Sequence, residues 1–315
     1  MSNPSNPKVR DVADSFIRQL ENGTPPWLKP WRDGVGGGSA HLPRNLISGH
    51  CYSGINVPLL WAEAADRGYA DSSWLTYRQA IARGGYVRRG EKASTVYFLK
   101  PTVVAGEGDE KARYFALLKS YAVFNVAQCE GVRPIKRASP ASRPEPERVA
   151  HADKLVEKSG ARMEFGGDRA FYTTAGDYIR LPMRAAFRDA AGYYGTALHE
   201  LTHWTGHAAR CNREFGKRFG DQAYAAEELV AEIGASLLCA HTGIDAGLQH
   251  AAYVATWIKL LTDHPKAIFT AASQAWKAFE LVATLAGEST GAADRHDDDK
   301  AGTPAPVHLP IAAWP

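Results

Sequence analysis

The chain has 315 residues, 45% of them in the hydrophobic set and 23% charged. That is enough for two ordinary domains with a core in each, and it excludes wholesale disorder. No apolar run approaches the roughly 20 residues of a membrane-spanning helix, and the first residues lack a signal peptide's hydrophobic stretch, so a cytoplasmic protein with no membrane partner is expected.

The four cysteines, Cys51, Cys129, Cys211 and Cys239, form no CxxC pair and are expected as reduced thiols. The net charge of +3 divides unevenly: residues 1–140 carry 19 Lys and Arg against 12 Asp and Glu (+7), and residues 141–315 carry 18 against 22 (−4). A basic half attracts polyanions, and nucleic acid is the commonest of these inside a cell.

In chain order, residues 9–21 place Val9, Val12, Phe16 and Leu20 on one helix face, ended by Asn22-Gly23. Loops rich in Pro and Gly follow, then helices over 54–65 and 76–83. From residue 94 the pattern turns to strand alternation: 94–103 and 113–126 read as two long strands joined by an acidic loop. The result is a small α+β domain over 1–131.

Residues 132–149 carry Pro134, Pro140, Pro144 and Pro146 with little to bury, and read as a linker. Beyond it, 169–182 reads as a hairpin turning at Ala175-Gly176, and 196–207 and 221–240 as helices, in a mostly helical domain over 150–287. Residues 288–315 read as a disordered tail.

Aromatic side chains lie beside cations throughout the first domain. Trp27 and Trp31 flank Lys29, Trp74 and Tyr77 precede Arg78, and Tyr86 precedes Arg88, Arg89 and Lys92. Ring stacking combined with phosphate neutralisation holds single-stranded nucleic acid without reading its sequence. The candidate DNA contacts are Trp27, Lys29, Trp31, Trp74, Arg78, Arg88, Arg89 and Lys92.

The second half contains His199-Glu200-Leu201-Thr202-His203, an HExxH pattern on a segment of helical character. Residues four apart share a helix face, so both imidazoles reach one cation, and Glu200, one step round, serves as general base. A catalytic site needs a third protein ligand. A histidine six residues after the motif is excluded, because Ala209 occupies that position.

The helix over 221–240 instead offers Glu228, with Glu227 as the fallback, because helix phase is not fixed to one residue by sequence. Glu232, one turn on from Glu228, is placed to accept the other N–H of a ligand histidine. The expected cation is Zn2+, with Mn2+ or Co2+ as alternatives. The expected reaction is peptide hydrolysis, with Tyr194 and Tyr224 as candidate oxyanion donors and the 169–182 hairpin as an edge for an extended substrate.

The segments YYGTALHELTHWTGH, EELVAEIGASLL and AAYVATWIKLL, with PPWLKPW, YSGINVPLLW, SSWLTYRQA and GGYVRRGEKASTVYF before them, resemble the ArdC antirestriction family of conjugative plasmids. The resemblance runs from about residue 8 to residue 287. It implies a single-stranded-DNA-binding domain joined to a zincin-type metallopeptidase domain that protects incoming plasmid DNA from host restriction. It places His199, His203 and Glu228 as metal ligands and Glu200 as the catalytic residue. One expectation is a peptidase that DNA tethers near its target, a restriction subunit or another host protein. A non-catalytic strand-coating protein with a structural metal, and a primase or replication accessory, are the competing expectations.

Overall fold

The computed structural model describes residues 7–23, 25–27, 42–104, 113–132, 144–213, 222–246 and 253–291, with only the backbone at 99–104 and 113–117. The fold is α+β, as expected. Helix α1 (Pro7–Glu21) buries Val9, Val12, Ala13, Phe16 and Leu20, and Gly23, at φ +71°, turns the chain out of it. The Asn-Gly stop signal is thus used as the sequence suggests.

Strand β1 (Arg44–Asn45), helix α2 (Asn56–Arg67), strand β2 (Ser73–Leu75) and helix α3 (Tyr77–Ala82) follow. Thr76 and Gln79 close a capping box on α3, which fixes where that short helix starts. Then come β3 (Tyr86–Val87), β4 (Ser94–Val104), β5 (Arg113–Asn125) and β6 (Cys129–Glu130).

Strands β4 and β5 pair antiparallel from Ser94 opposite Val123 to Val104 opposite Arg113, and the main sheet runs β1-β2-β5-β4. A small ladder of β3 and β6 brings Gly85 so close that a Cβ there would meet the Glu130 carbonyl oxygen at 2.5 Å. The acidic connection between β4 and β5, at 105–112, lies outside the described residues.

In the second half, helix α4 (Glu145–Ser159) precedes strands β7 (Arg162–Phe165), β8 (Phe171–Thr173) and β9 (Tyr178–Leu181). The helices α5 (Ala190–Thr205), α6 (Gln222–Thr242), α7 (Val254–Asp263) and α8 (Ala267–Leu285) complete the fold. The sheet order is β7-β9-β8, so β8 is an edge strand of the expected hairpin. Every residue of α6 from Glu227 to Ala240 is buried, because α4, α5, α7 and α8 all pack around it. Among the described residues, no helix is long and apolar enough to cross a membrane.

Three features depart from the sequence reading. The linker ends early: Pro144 caps α4 and Pro146 sits in its first turn, where a missing N–H costs nothing, so residues 145–149 are helix. Residues 133–143 lie outside the described residues. The segment read as tail begins with bonded residues, since Glu288 N–H donates to Ala283 and the Gly291 carbonyl accepts from Cys51 N–H at 2.7 Å. Residues 292–315 lie outside the described residues.

Thirdly, the basic half does not keep its core to itself. Helix α1 packs on α7, and Val12, Phe16, Leu20 and Trp27 join one apolar cluster with Trp257, Leu260 and Leu261. Trp27 meets Trp257 edge-on at 5.4 Å between centroids. Separate clusters around Trp74, Val96 and Val123, and around Leu46, Leu75 and Val126, support the main sheet.

Candidate metal centre

Asp189 caps α5 by accepting the Gly192 N–H at 2.8 Å, and the helix runs unbroken through His199, Glu200 and His203. It crosses α6 closely: a Cβ on Gly234 would lie 2.5 Å from the Thr202 Cγ2 and 2.9 Å from its Oγ1. Thr202 is fully buried and its hydroxyl already donates to the Leu198 carbonyl, so it has little room to yield. Gly234→Ala is therefore expected to cost about 1–3 kcal/mol by overpacking, read as a lowered denaturation midpoint. An unchanged midpoint would contradict the closeness of this crossing.

That approach sets the three expected ligands together. Glu228 Oε2 lies 3.7 Å from His199 Nε2, and Glu228 Oε1 lies 3.5 Å from His203 Nε2. One offered atom from each of the three lies within 4.8 Å of the others. Around an ion with bonds of about 2.1 Å, ligand atoms sit roughly 3–3.5 Å apart, so the trio has the spacing of a cation site.

The remaining imidazole nitrogens also face carboxylates. His199 Nδ1 lies 3.5 Å from Glu232 Oε2, and His203 Nδ1 lies 3.1 Å from Glu227 Oε1. Two orienting acids present both Nε2 atoms to Glu228, which is how ligand histidines are usually held. Glu232 faces His199 Nδ1 at that distance without closing a hydrogen bond to it.

Glu227, the fallback ligand, is engaged elsewhere. Its Oε2 accepts from Arg213 Nε at 2.9 Å and its Oε1 from Arg213 Nη2 at 2.8 Å. The guanidinium is fixed in turn on the Thr205 hydroxyl and the Thr202 carbonyl. Arg213 has no spacing relation to HExxH, and sequence reasoning missed it.

The electrostatics fit a cation. Burial would lower the His199 pKa, but the Glu228 and Glu232 carboxylates outweigh it and push the imidazole up to about 10. Burial raises Glu228, and the two imidazoles overcome that and hold it below its ordinary value. Such a cluster of buried acids demands positive charge, which an imidazolium or a divalent metal supplies.

Two phenols complete the wall. The Tyr224 hydroxyl lies 3.1 Å from the Tyr253 hydroxyl, and the nearby Glu228 carboxylate helps to raise the pKa of both, after burial, which raises them most. Tyr224 thus lies beside Glu228, one helical turn before it, and Tyr253 is a neighbour that sequence reasoning missed. The Tyr194 assignment is corrected. Its hydroxyl donates to Asp153 Oδ1 at 2.5 Å, because five residues of helix rotate it about 140° away from His199.

A crystal structure of antirestriction ArdC from plasmid R388, metal-free, matches this chain with a TM-score of 0.74 and 39% identity, covering 89% of this chain and 97% of that one. The chain belongs to the ArdC antirestriction family. A Mn(II)-bound structure of the same protein matches with a TM-score of 0.72 and 40% identity, over 88% and 97% of the two chains.

Residues 8–124 match the model for the N-terminal domain of anti-restriction factor ArdC, and residues 150–274 the model for a zincin-like metallopeptidase. Two Escherichia coli proteins named DNA primase TraC are each 39% identical, over 90% and 89% of this chain. The chain spans only 27% and 20% of their lengths. The uncharacterized protein y4eC of Sinorhizobium fredii is 37% identical over 84% of this chain and 87% of its own length.

In this ArdC-family chain the expected DNA contacts divide sharply. Trp27 and Trp74 are each 1% exposed, the first against Trp257 and the second against Tyr69, so neither can stack on a base; both assignments are corrected. Lys29 and Trp31 lie outside the described residues. Arg78, Arg88, Arg89 and Lys92 are exposed. The rings on view beside them are Tyr77 at 55% and Tyr86 at 50% exposure, with Ile81 one helical turn beyond Tyr77.

Proposed function

We propose that this chain is a metal-dependent peptidase carried on single-stranded DNA, protecting incoming plasmid DNA from restriction in the cytoplasm. The observation that carries the peptidase reading is the trio of His199, His203 and Glu228, with Glu200 beside it on the same helix. A divalent cation bound there, with zinc the foremost candidate, supplies Lewis acidity that polarises a peptide carbonyl and acidifies water.

Glu200, 8% exposed and one step round the helix from His199, takes the proton of the attacking water. It then delivers that proton to the leaving nitrogen as the C–N bond breaks. Tyr224 and Tyr253 hold protonated hydroxyls, since burial raises both pKa values, and they donate to the developing oxyanion. Edge strand β8 packs against α5 and offers backbone groups to an extended peptide.

Arg210 anchors that edge. It lies over the Trp204 ring at 3.8 Å and pairs with Asp177, at the start of the hairpin's return strand. The Arg210 hydrogen bond comes first among the influences that hold the Asp177 pKa below its ordinary value of 3.8. A lowered acid stabilises the folded state above that ordinary value and loses the contribution as pH falls through the folded value. Asp177→Asn is therefore expected to loosen the hairpin at neutral pH and to flatten stability against pH below about 4. Hydrogen exchange of the β8 and β9 amides at two pH values checks both; unaltered protection would contradict the anchor.

The peptidase reading is tested by incubating the metal-loaded chain with an unfolded protein substrate at neutral pH. Cleavage that a chelator stops supports it, and an uncut substrate at full metal occupancy refutes it.

DNA binding is tested by titrating single-stranded and duplex oligonucleotides at two salt concentrations. Replacing Arg88 and Arg89 together by Ala should reduce the salt slope by about 1.4, and replacing Tyr77 or Tyr86 should cost about 1–3 kcal/mol per unstacked base. A flat salt response would contradict phosphate-driven binding by this surface.

A further inference from the structure

A second convergence of donors lies toward the far end of α6. His241, in the last turn of that helix, is nine residues beyond Glu232, or about 13 Å of helix. Its Nε2 lies 2.7 Å from Glu288 Oε2, and His151 Nε2, from α4, lies 2.8 Å from the same oxygen. The two rings sit 5.1 Å apart and are tilted by 55°. Lys154 Nζ holds the other oxygen, Oε1, at 2.7 Å. The three side chains are 12–17% exposed, shielded yet reachable from solvent. No step of the proposed hydrolysis uses any of them.

We propose that His151, His241 and Glu288 form a second divalent-cation site of the zinc class, weaker than the first. The donor set is again two imidazoles and one carboxylate, and the three offered atoms lie within 4.8 Å of one another. The present gaps of 2.7 and 2.8 Å are hydrogen-bond lengths. Opening each by roughly half an ångström, through small side-chain rotations, gives the spacing of ligands around an ion. Each imidazole must then carry its proton on Nδ1, so that Nε2 offers a lone pair.

Lys154 explains why the site is weak. Its ammonium already neutralises Glu288, and an incoming cation competes with it. The ammonium touches only Oε1, and its side chain is 45% exposed, so it can withdraw into water while Oε2 and both Nε2 atoms close on the metal.

The position has a structural consequence. Three residues after Glu288, the Gly291 carbonyl accepts the Cys51 N–H beside the Arg44–Cys51 bridge. A cation on Glu288 therefore fastens α4 and α6 to the segment that docks on the N-terminal half. Filling the site should raise thermal stability by mass action.

The test is equilibrium dialysis of the full chain against Zn2+ with metal analysis at neutral pH. Two equivalents are expected, the second at least tenfold weaker. Glu228→Ala should lose the tight equivalent and keep the weak one; His241→Ala and Glu288→Gln should do the reverse. These opposite losses separate failure of this proposal from failure of the peptidase reading.

The proposal is overturned if no equivalent is lost in both His241→Ala and Glu288→Gln and kept in Glu228→Ala, whether the unaltered chain binds one ion or two. Should His241→Ala fail to fold, histidine-ring nitrogen resonances of the unaltered chain decide. Those of His151 and His241 must move as the second equivalent binds, and stationary resonances overturn the assignment.

Discussion

Glu200→Gln is expected to lower peptide hydrolysis by about 10²–10⁴-fold while leaving cation and DNA binding intact. Glu200 shares α5 with both histidines of the proposed ligand trio, His199, His203 and Glu228, but is not itself one of the three, so an amide of nearly the same shape leaves the coordinating atoms in place. What disappears is the ability to take a proton from water and return it to the leaving amine. Steady-state cleavage by the metal-loaded variant, with metal content measured in parallel, checks this. A variant with full activity would place the general base elsewhere. Lost cleavage with undiminished protection of plasmid DNA during conjugation would favour strand coating as the protective act.

Glu228→Ala is expected to abolish tight metal binding and, with it, the part of folding stability that the tight site supplies. At a free metal concentration a thousandfold above the dissociation constant, binding to the folded state contributes about 4.1 kcal/mol. The unaltered chain should therefore melt at a temperature that climbs with added metal. The variant keeps two imidazoles and loses the carboxylate that faces both, so the tight-site part of that climb should vanish. Calorimetric melts with and without chelator measure the difference. A variant that still gains the full shift would show that Glu228 is not a ligand.

How much of this was legible in the sequence follows the range of the interactions. The HExxH spacing is a statement about one helix, and helix geometry alone puts His199 and His203 on one face. That Glu228 and Glu232 share a face of the next long helix was legible for the same reason, but which acid of that helix meets the histidines was not, and Glu227 stayed open until the fold turned it to Arg213. Tyr253 was not, because it meets Tyr224 from the start of α7, and no local period connects them. Arg213 escaped likewise, since its role is to neutralise Glu227 across a connection between helices.

The misreadings share a cause. Trp27 and Trp74 stand near cations in the chain, which suggested stacking platforms. Their surroundings are decided by distant partners: Trp257 for the first, and the cluster with Leu60, Val96 and Val123 for the second. Periodicity shows that α1 has an apolar face but not which element covers it, and the cover is α7. Prolines at 144 and 146 were read as breakers, whereas the first turn of a helix accepts them without loss.

The central claim is that His199, His203 and Glu228 hold one divalent cation between α5 and α6. Crystals soaked in Zn2+ and measured on both sides of its absorption edge test it most directly. The account predicts an anomalous peak about 2.0–2.2 Å from both Nε2 atoms and from a Glu228 oxygen. The claim fails if no peak appears between the three side chains while the metal is bound elsewhere on the chain.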